Sequence, residues 1–349
     1  MRYRKVCIEA FGYELPERVV TSQSLEERLA PVYGKMHRDF GRLELMTGIR
    51  ERRVWEEGTP PSLPSTRAAE KAIAKSGIKK EEIECLLHTS VSRDFLEPAT
   101  ATVVHNAVGL PATATIFDIS NACLGFINGM VTLANMIELG QIKAGVVAAC
   151  ESGTRLTDAT IDLLLQDQNM TRGKLRLGFA SLTMGSGSVS VVMTHSSISK
   201  SGHKLLGGAV RNASQHNDLC RVDADTCFHD SSSFPSMHAD SEGILRNGLP
   251  LAMETWEAFQ REMGWNAGDV DRIFTHQVSA VHQSLFFDSL KLDKSKGFST
   301  VEYLGNMGSV SLPMSAAIGI EKGHLKPGDK AAMMAAGSGL NCIMLGLEW

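Results

Sequence analysis

The sequence predicts an α/β protein of two similar halves, with mixed sheet covered by helices on both faces. Three observations predict it. Short continuous apolar runs alternate with helix-patterned segments from end to end, as strands buried on both faces do. A length of 349 residues suits two domains or one large two-lobed unit with a full core. A Gly-Ser-Gly turn running into an apolar strand also occurs twice, at Gly185-Ser186-Gly187 and Gly337-Ser338-Gly339, 152 positions apart. That offset is close to half the chain, as an internal repeat requires. The expected join lies near 195–205, dividing the chain into residues 1–198 and 199–349.

Taken in order, a helix over 66–76 leads into a β-leaning run, Cys85-Leu86-Leu87-His88-Thr89-Ser90-Val91. A short apolar strand at 116–119 ends on Ser120-Asn121, both good helix N-caps. A largely apolar helix is expected from there to Leu139, with Gly140 as its stop. The run 144–150 repeats the buried-strand pattern, and Arg272-Ile273-Phe274 is another short strand.

Composition excludes several function classes. With 35 basic and 39 acidic side chains the formal charge is −4, which argues against a nucleic-acid partner. Hydrophobic residues make 43% and charged ones 21%, which argues against disorder. No apolar run approaches the roughly 18 residues of a membrane span, and the basic N-terminus lacks a signal-peptide apolar stretch. Seven cysteines, an odd count without paired spacing, fit a reducing, cytoplasmic compartment. The polar stretch 215–240 contains His216, Cys220, Cys227 and His229. A zinc site can use such residues, but no Cys-x-x-Cys is present, so a polar surface insertion and no metal is the expectation.

Chemistry concentrates at Asn121-Ala122-Cys123-Leu124-Gly125. A cysteine in the first turn of a buried helix has its thiolate favoured by the helix dipole, as a nucleophile requires; a small buried structural cysteine is the alternative. A thiolate nucleophile also needs a proton handler and an oxyanion site. His276 directly follows a strand, and Asn306 sits in the Gly-flanked turn Leu304-Gly305-Asn306-Met307-Gly308.

Together these segments resemble the thiolase superfamily and, within it, the type III ketoacyl synthases, over essentially the whole chain. The resemblance implies the thiolase fold, two similar halves in a five-layered α-β-α-β-α arrangement, and a homodimer. It implies a catalytic triad of Cys123, His276 and Asn306, and an oxyanion hole from the backbone N–H groups of Cys123 and Ser338. Two departures narrow it. The family's His-Gln-Ala-Asn run is followed by a carrier-protein-docking arginine, whereas here the run is His276-Gln277-Val278-Ser279-Ala280-Val281. The residue before Pro98, commonly an aromatic that enters the partner subunit's pocket, is Glu97. A carboxylate placed in an apolar pocket can act as a base.

This pattern resembles the branch of the superfamily that condenses acyl-CoA head to head in bacterial long-chain olefin synthesis. That branch joins two fatty acyl-CoA molecules by a Claisen condensation without decarboxylation, giving a 2-alkyl-3-keto acid. The resemblance therefore implies long-chain acyl-CoA substrates, no cofactor beyond these coenzyme A thioesters, and downstream olefin-pathway enzymes as candidate partners. Glu97 is then expected as the base that removes an α-proton, since an unactivated acyl-CoA has no carbon dioxide to lose. Alternatives are a decarboxylating 3-oxoacyl-carrier-protein synthase III using a malonyl thioester, or an acyltransferase on the same triad. A non-catalytic partner subunit has no need of an intact triad.

Overall fold

The computed structural model describes residues 1–222 and 237–349. Thirteen strands are present among them: β1 (Val6–Glu14), β2 (Arg18–Thr21), β3 (Glu51–Val54), β4 (Cys85–His88), β5 (Thr115–Asp118), β6 (Ala144–Glu151), β7 (Gly187–His195), β8 (Lys204–Asn212), β9 (Cys220–Val222), β10 (Met237–Ala239), β11 (Arg272–Thr275), β12 (Lys330–Gly337) and β13 (Asn341–Glu348). Nine form one continuous mixed ladder in the order β11-β12-β13-β8-β1-β7-β6-β4-β5. Its middle is thin, because β1 and β8 pair only at Cys7 and Lys204. On either side lie a five-stranded and a four-stranded sheet. Each holds a parallel strand pair and antiparallel neighbours, as β4 with β6 and β6 with β7, or β11 with β12 and β12 with β13.

Helices make the other three layers. Ser62–Ser76 and Thr100–Val108 cover the outer face of the first sheet. Ser241–Met263 covers the second, with Ala280–Ser289 packed beside it. Gly125–Glu138 and Ser311–Glu321 lie between the sheets, the second of them buried along nearly its whole length. This is the five-layered α-β-α-β-α thiolase fold. Strand side chains show why the apolar runs are continuous. Leu87, Val147 and Val191 enter the central core while Leu86, Val146 and Val192 enter the outer one. In the other sheet Met333 points to the centre and Met334 outward.

Two expectations shift. The run expected to be a strand over 85–91 leaves the ladder after His88. Thr89 N–H still reaches the Ala148 carbonyl (2.9 Å), but Val91 and Ser92 N–H donate to the Glu151 carboxylate, turning the chain out of the sheet. The paired Gly-Ser-Gly turns also stand two positions out of register. Glu151 opposite Gly187 ends one hairpin and Gly337 opposite Asn341 ends the other. Strands β7 and β13 are therefore related by 154 positions rather than 152, because the two hairpins are closed by different lengths of chain. Among the described residues no helix is long and apolar enough to cross a membrane, and no group of three His, Cys, Asp or Glu is placed to hold a metal ion.

Candidate active site

Cys123 lies in a 3-10 turn, Ala122–Leu124, between β5 and the Gly125–Glu138 helix. The helix expected to follow the Ser120-Asn121 cap starts at Gly125. Asn121 does not cap it; its amide donates instead to Asn128 Oδ1 at 2.8 Å. Ala122 takes a φ of 44°, a left-handed conformation uncommon for a residue with a side chain and often found where backbone aims a functional group. Behind the turn stands Gly337, where an added Cβ would press into the Leu124 side chain and lie 3.2 Å from Cys123 Cβ. Only glycine lets the end of β12 come this close.

The backbone N–H groups of Cys123 and Ser338 both donate towards Cys123 Sγ. These two donors, implied as an oxyanion hole, thus converge beside the Cys123 sulfur. They do not make it a thiolate. Burial, reinforced by the Cys220 thiol and the Glu151 carboxylate, pushes the Cys123 thiol up to about 12. The expectation of a dipole-stabilised thiolate is corrected: a single 3-10 turn offers little dipole, and desolvation outweighs two N–H groups. Cys123 is therefore a neutral thiol at pH 7.

His276 follows β11, its backbone N–H held by the Met334 carbonyl at 2.9 Å. Gln277 anchors the same loop, donating to the Phe298 carbonyl and accepting from Thr300 N–H, both at 2.9 Å. Both His276 ring nitrogens are buried without a hydrogen-bond partner. Burial, with His282 nearby, lowers the imidazole to about 4, so it is neutral at pH 7 and has one N–H to give. Asn306 is stitched to the neighbouring segment by its backbone, donating to the Thr183 carbonyl and accepting from Gly185 N–H. Its Oδ1 accepts from Gly308 N–H at 3.0 Å, which turns the amide nitrogen the other way.

Cys123, His276, Asn306 and Ser338 line one cavity of about 520 Å³. Phe179, Leu251, Phe286 and Met334 supply apolar wall, suited to a hydrocarbon chain. Glu97 is not part of this lining; it lies exposed on a surface loop beside the exposed Phe95 and Leu96. The structure therefore brings four of the five expected residues together within one chain. Sequence reading missed several residues of the lining. His216, Cys220, Met237 and Ala239 face the cavity, so the stretch 215–240 is not simply a surface insertion; Cys227 and His229 lie outside the described residues. His282 was missed too, although Ser279 visibly caps its helix and holds His282 Nδ1 at 2.7 Å.

The comparisons agree with this geometry. Residues 46–230 match the thiolase N-terminal domain model and residues 261–349 the 3-oxoacyl-[acyl-carrier-protein] synthase III C-terminal model. An acyl-CoA:acyl-CoA alkyltransferase of Shewanella oneidensis is 42% identical, with 100% of each chain covered. The crystal structure of a Xanthomonas campestris OleA variant with bound lauric acid and lauroyl-CoA is 33% identical, covering 99% of this chain and 100% of that one, with a TM-score of 0.92. Other OleA structures carry substitutions at a glutamate and at a cysteine 26 positions apart, the spacing of Glu97 and Cys123. A 3-oxoacyl-(acyl carrier protein) synthase III from Xanthomonas oryzae is 33% identical, covering 100% of both chains, with a TM-score of 0.93. Whole-length identity to the alkyltransferases, on top of the shared fold, places this chain in the thiolase superfamily as a member of the acyl-CoA:acyl-CoA alkyltransferase (OleA) family of condensing enzymes.

Proposed function

We propose that the enzyme joins two long-chain acyl-CoA molecules by a non-decarboxylative Claisen condensation, giving a 2-alkyl-3-keto acid as the first step of head-to-head olefin formation. The observation that carries it is the convergence of a cysteine thiol, two backbone N–H donors and a neutral, unpartnered histidine on one apolar-walled cavity. The lauroyl-CoA-bound relative supports the substrate class. No cofactor is called for beyond the thioesters, and location in the cytoplasm follows from such substrates.

Cys123 Sγ attacks the first thioester carbonyl while its N–H and that of Ser338 hold the developing oxyanion. The thiol proton leaves with CoA, and the acyl group stays on sulfur. His276 N–H and the Asn306 amide hold the second thioester's oxygen as its α-proton departs, favouring the enolate. In a homodimer the partner subunit's Glu97 takes that proton. Exposure of Glu97 in the single chain and its 26-residue spacing from Cys123 support this role. The α-carbon then attacks the acyl carbonyl, the C–S bond to Cys123 breaks, and water hydrolyses the remaining CoA thioester. The two halves, 1–198 and 199–349, would contribute the nucleophile with the Glu97 loop and the donor-side pair respectively.

Incubation with one long-chain acyl-CoA, followed by mass spectrometry, should yield a keto acid or its decarboxylated ketone of twice the chain length less the lost carbon. The synthase III likeness favours a second reading, decarboxylative condensation. Product formed only when malonyl-CoA is added would select it, and free fatty acid alone would leave an acyl hydrolase.

A further inference from the structure

Glu151, the last residue of β6, is a charged side chain only 5% exposed, and neither catalysis nor the cavity lining uses it. Its Oε1 accepts from Val91 N–H (3.0 Å) and Ser309 Oγ–H (2.5 Å). Its Oε2 accepts from Ser92 N–H (3.1 Å) and Ser92 Oγ–H (3.0 Å). Val91 and Ser92 are the root of the loop that carries Glu97; Ser309 adjoins Gly308, whose N–H holds Asn306 Oδ1. Behind them, Ser92 Oγ accepts from Ser152 N–H and Ser90 Oγ from Cys150 N–H. Gly308 packs on the same side chain, an added Cβ falling 3.4 Å from Glu151 Cγ.

We propose that Glu151 is a positioning residue of the condensation step, a buried carboxylate that clamps the root of the Glu97 loop to the Asn306 turn. The inference rests on the reading that Glu97 serves the partner's site. Four donors face an acceptor-only group and offset part of the cost of burying its charge, although burial still holds the carboxyl above its ordinary value. With both oxygens occupied by these donors, Glu151 is poorly placed to take a proton from substrate, which distinguishes it from a base. One carboxylate thus ties together two segments far apart in sequence, one leading to the partner's cavity and one forming its own.

Glu151→Gln keeps the shape but sets an NH2 against a backbone N–H, of either Val91 or Ser92. Serine hydroxyls can turn to accommodate it; a backbone N–H cannot. Expected is Cys123 acylation within about threefold of wild type by intact-protein mass spectrometry, but condensation at least about tenfold slower, as small misplacement of catalytic groups costs. The pH midpoint of Cys123 alkylation should also fall, because a negative charge beside the thiol is gone. Equal loss of acylation and condensation, or an unmoved midpoint with wild-type condensation, overturns the proposal. Should Glu151→Gln fail to fold, Ser309→Ala removes one donor only; it should slow condensation more than acylation, and no difference between the two overturns the clamp. Failure of the Glu97 reading shows separately, as no recovered activity in a mixed Cys123→Ala and Glu97→Ala dimer with Glu151 intact.

Discussion

The β6–β7 and β12–β13 hairpins have the same eight-rung antiparallel register, yet their ends do different chemistry. In β12–β13 three residues, Ser338–Leu340, close the turn, and Gly337 lets it press on Cys123 so that Ser338 N–H reaches the sulfur. In β6–β7 the chain leaves at Glu151 and returns only at Gly187. The excursion holds the helices Thr154–Gln166 and Arg172–Leu182, the second of which walls the cavity through Leu177 and Phe179. The tight end sets the Ser338 N–H beside the Cys123 sulfur; the open end builds a cavity wall and anchors the Glu97 loop. A repeated ladder is thus a scaffold, and what closes it decides the use.

The largest effect expected breaks the comparison at the level of the dimer. Cys123→Ala and Glu97→Ala should each abolish condensation. A doubly tagged, purified mixed dimer of the two should regain about half of wild-type activity, since one of its two sites then has both groups. No recovery in a folded mixed dimer would show that the open end does not serve the neighbour.

Next is Gly337→Ala at the tight end. Its Cβ meets Leu124 and Cys123, and acylation measured by mass spectrometry should fall about 10²–10³-fold, as for a lost oxyanion donor. The opposite rung of the open hairpin offers the control. At Gly187 a Cβ would press on the flexible tips of Met307 and Met314, at 2.9 and 3.1 Å, and touch Leu15 Cδ2 at 3.8 Å, so Gly187→Ala should cost about 1 kcal/mol of stability in denaturant melts and leave turnover within a few-fold. Similar loss of acylation in both variants would erase the difference argued between the ends.

Asn306→Ala should then separate the two chemical steps, acylating Cys123 normally while condensation drops by about tenfold or more; parallel loss would contradict the division of labour. The smallest effect concerns the matching strands β4 and β11. His88 ends the first and is bonded to Ser65, whereas His276 follows the second unpartnered; burial lowers both from 6.5 to about 4. The unfolded chain therefore binds more protons than the fold between those values. The stability tied to keeping each ring neutral is full above about pH 6.5 and is lost as pH falls towards 4. His88→Gln should flatten this acid loss of melting temperature without changing turnover at pH 7, while His276→Gln should flatten it and also lower turnover.

Much of the site was legible because its chemistry is local. Cys123 between a strand and a helix, His276 after a strand and Asn306 between glycines are each read from a few neighbours, and the family resemblance joins them. The wall was not legible. In sequence His216 and Cys220 sit in a polar stretch and Leu177 in an ordinary helix; only chain packing turns them to one cavity. Nor could adjacent residues reveal that the Cys123 thiol is pushed up rather than down, since the desolvation comes from segments distant in sequence.

By itself the sequence determined the alternation of apolar runs and helices, the two-halved α/β class and the nucleophilic turn, because these depend on side-chain periodicity and on glycine at fixed places. Only the tertiary structure decided the two-residue slip between the Gly-Ser-Gly turns, the neutral state of Cys123 and the clamp at Glu151. Each depends on which distant backbone groups come within about 3 Å, and hydrogen bonding and desolvation act only at that range.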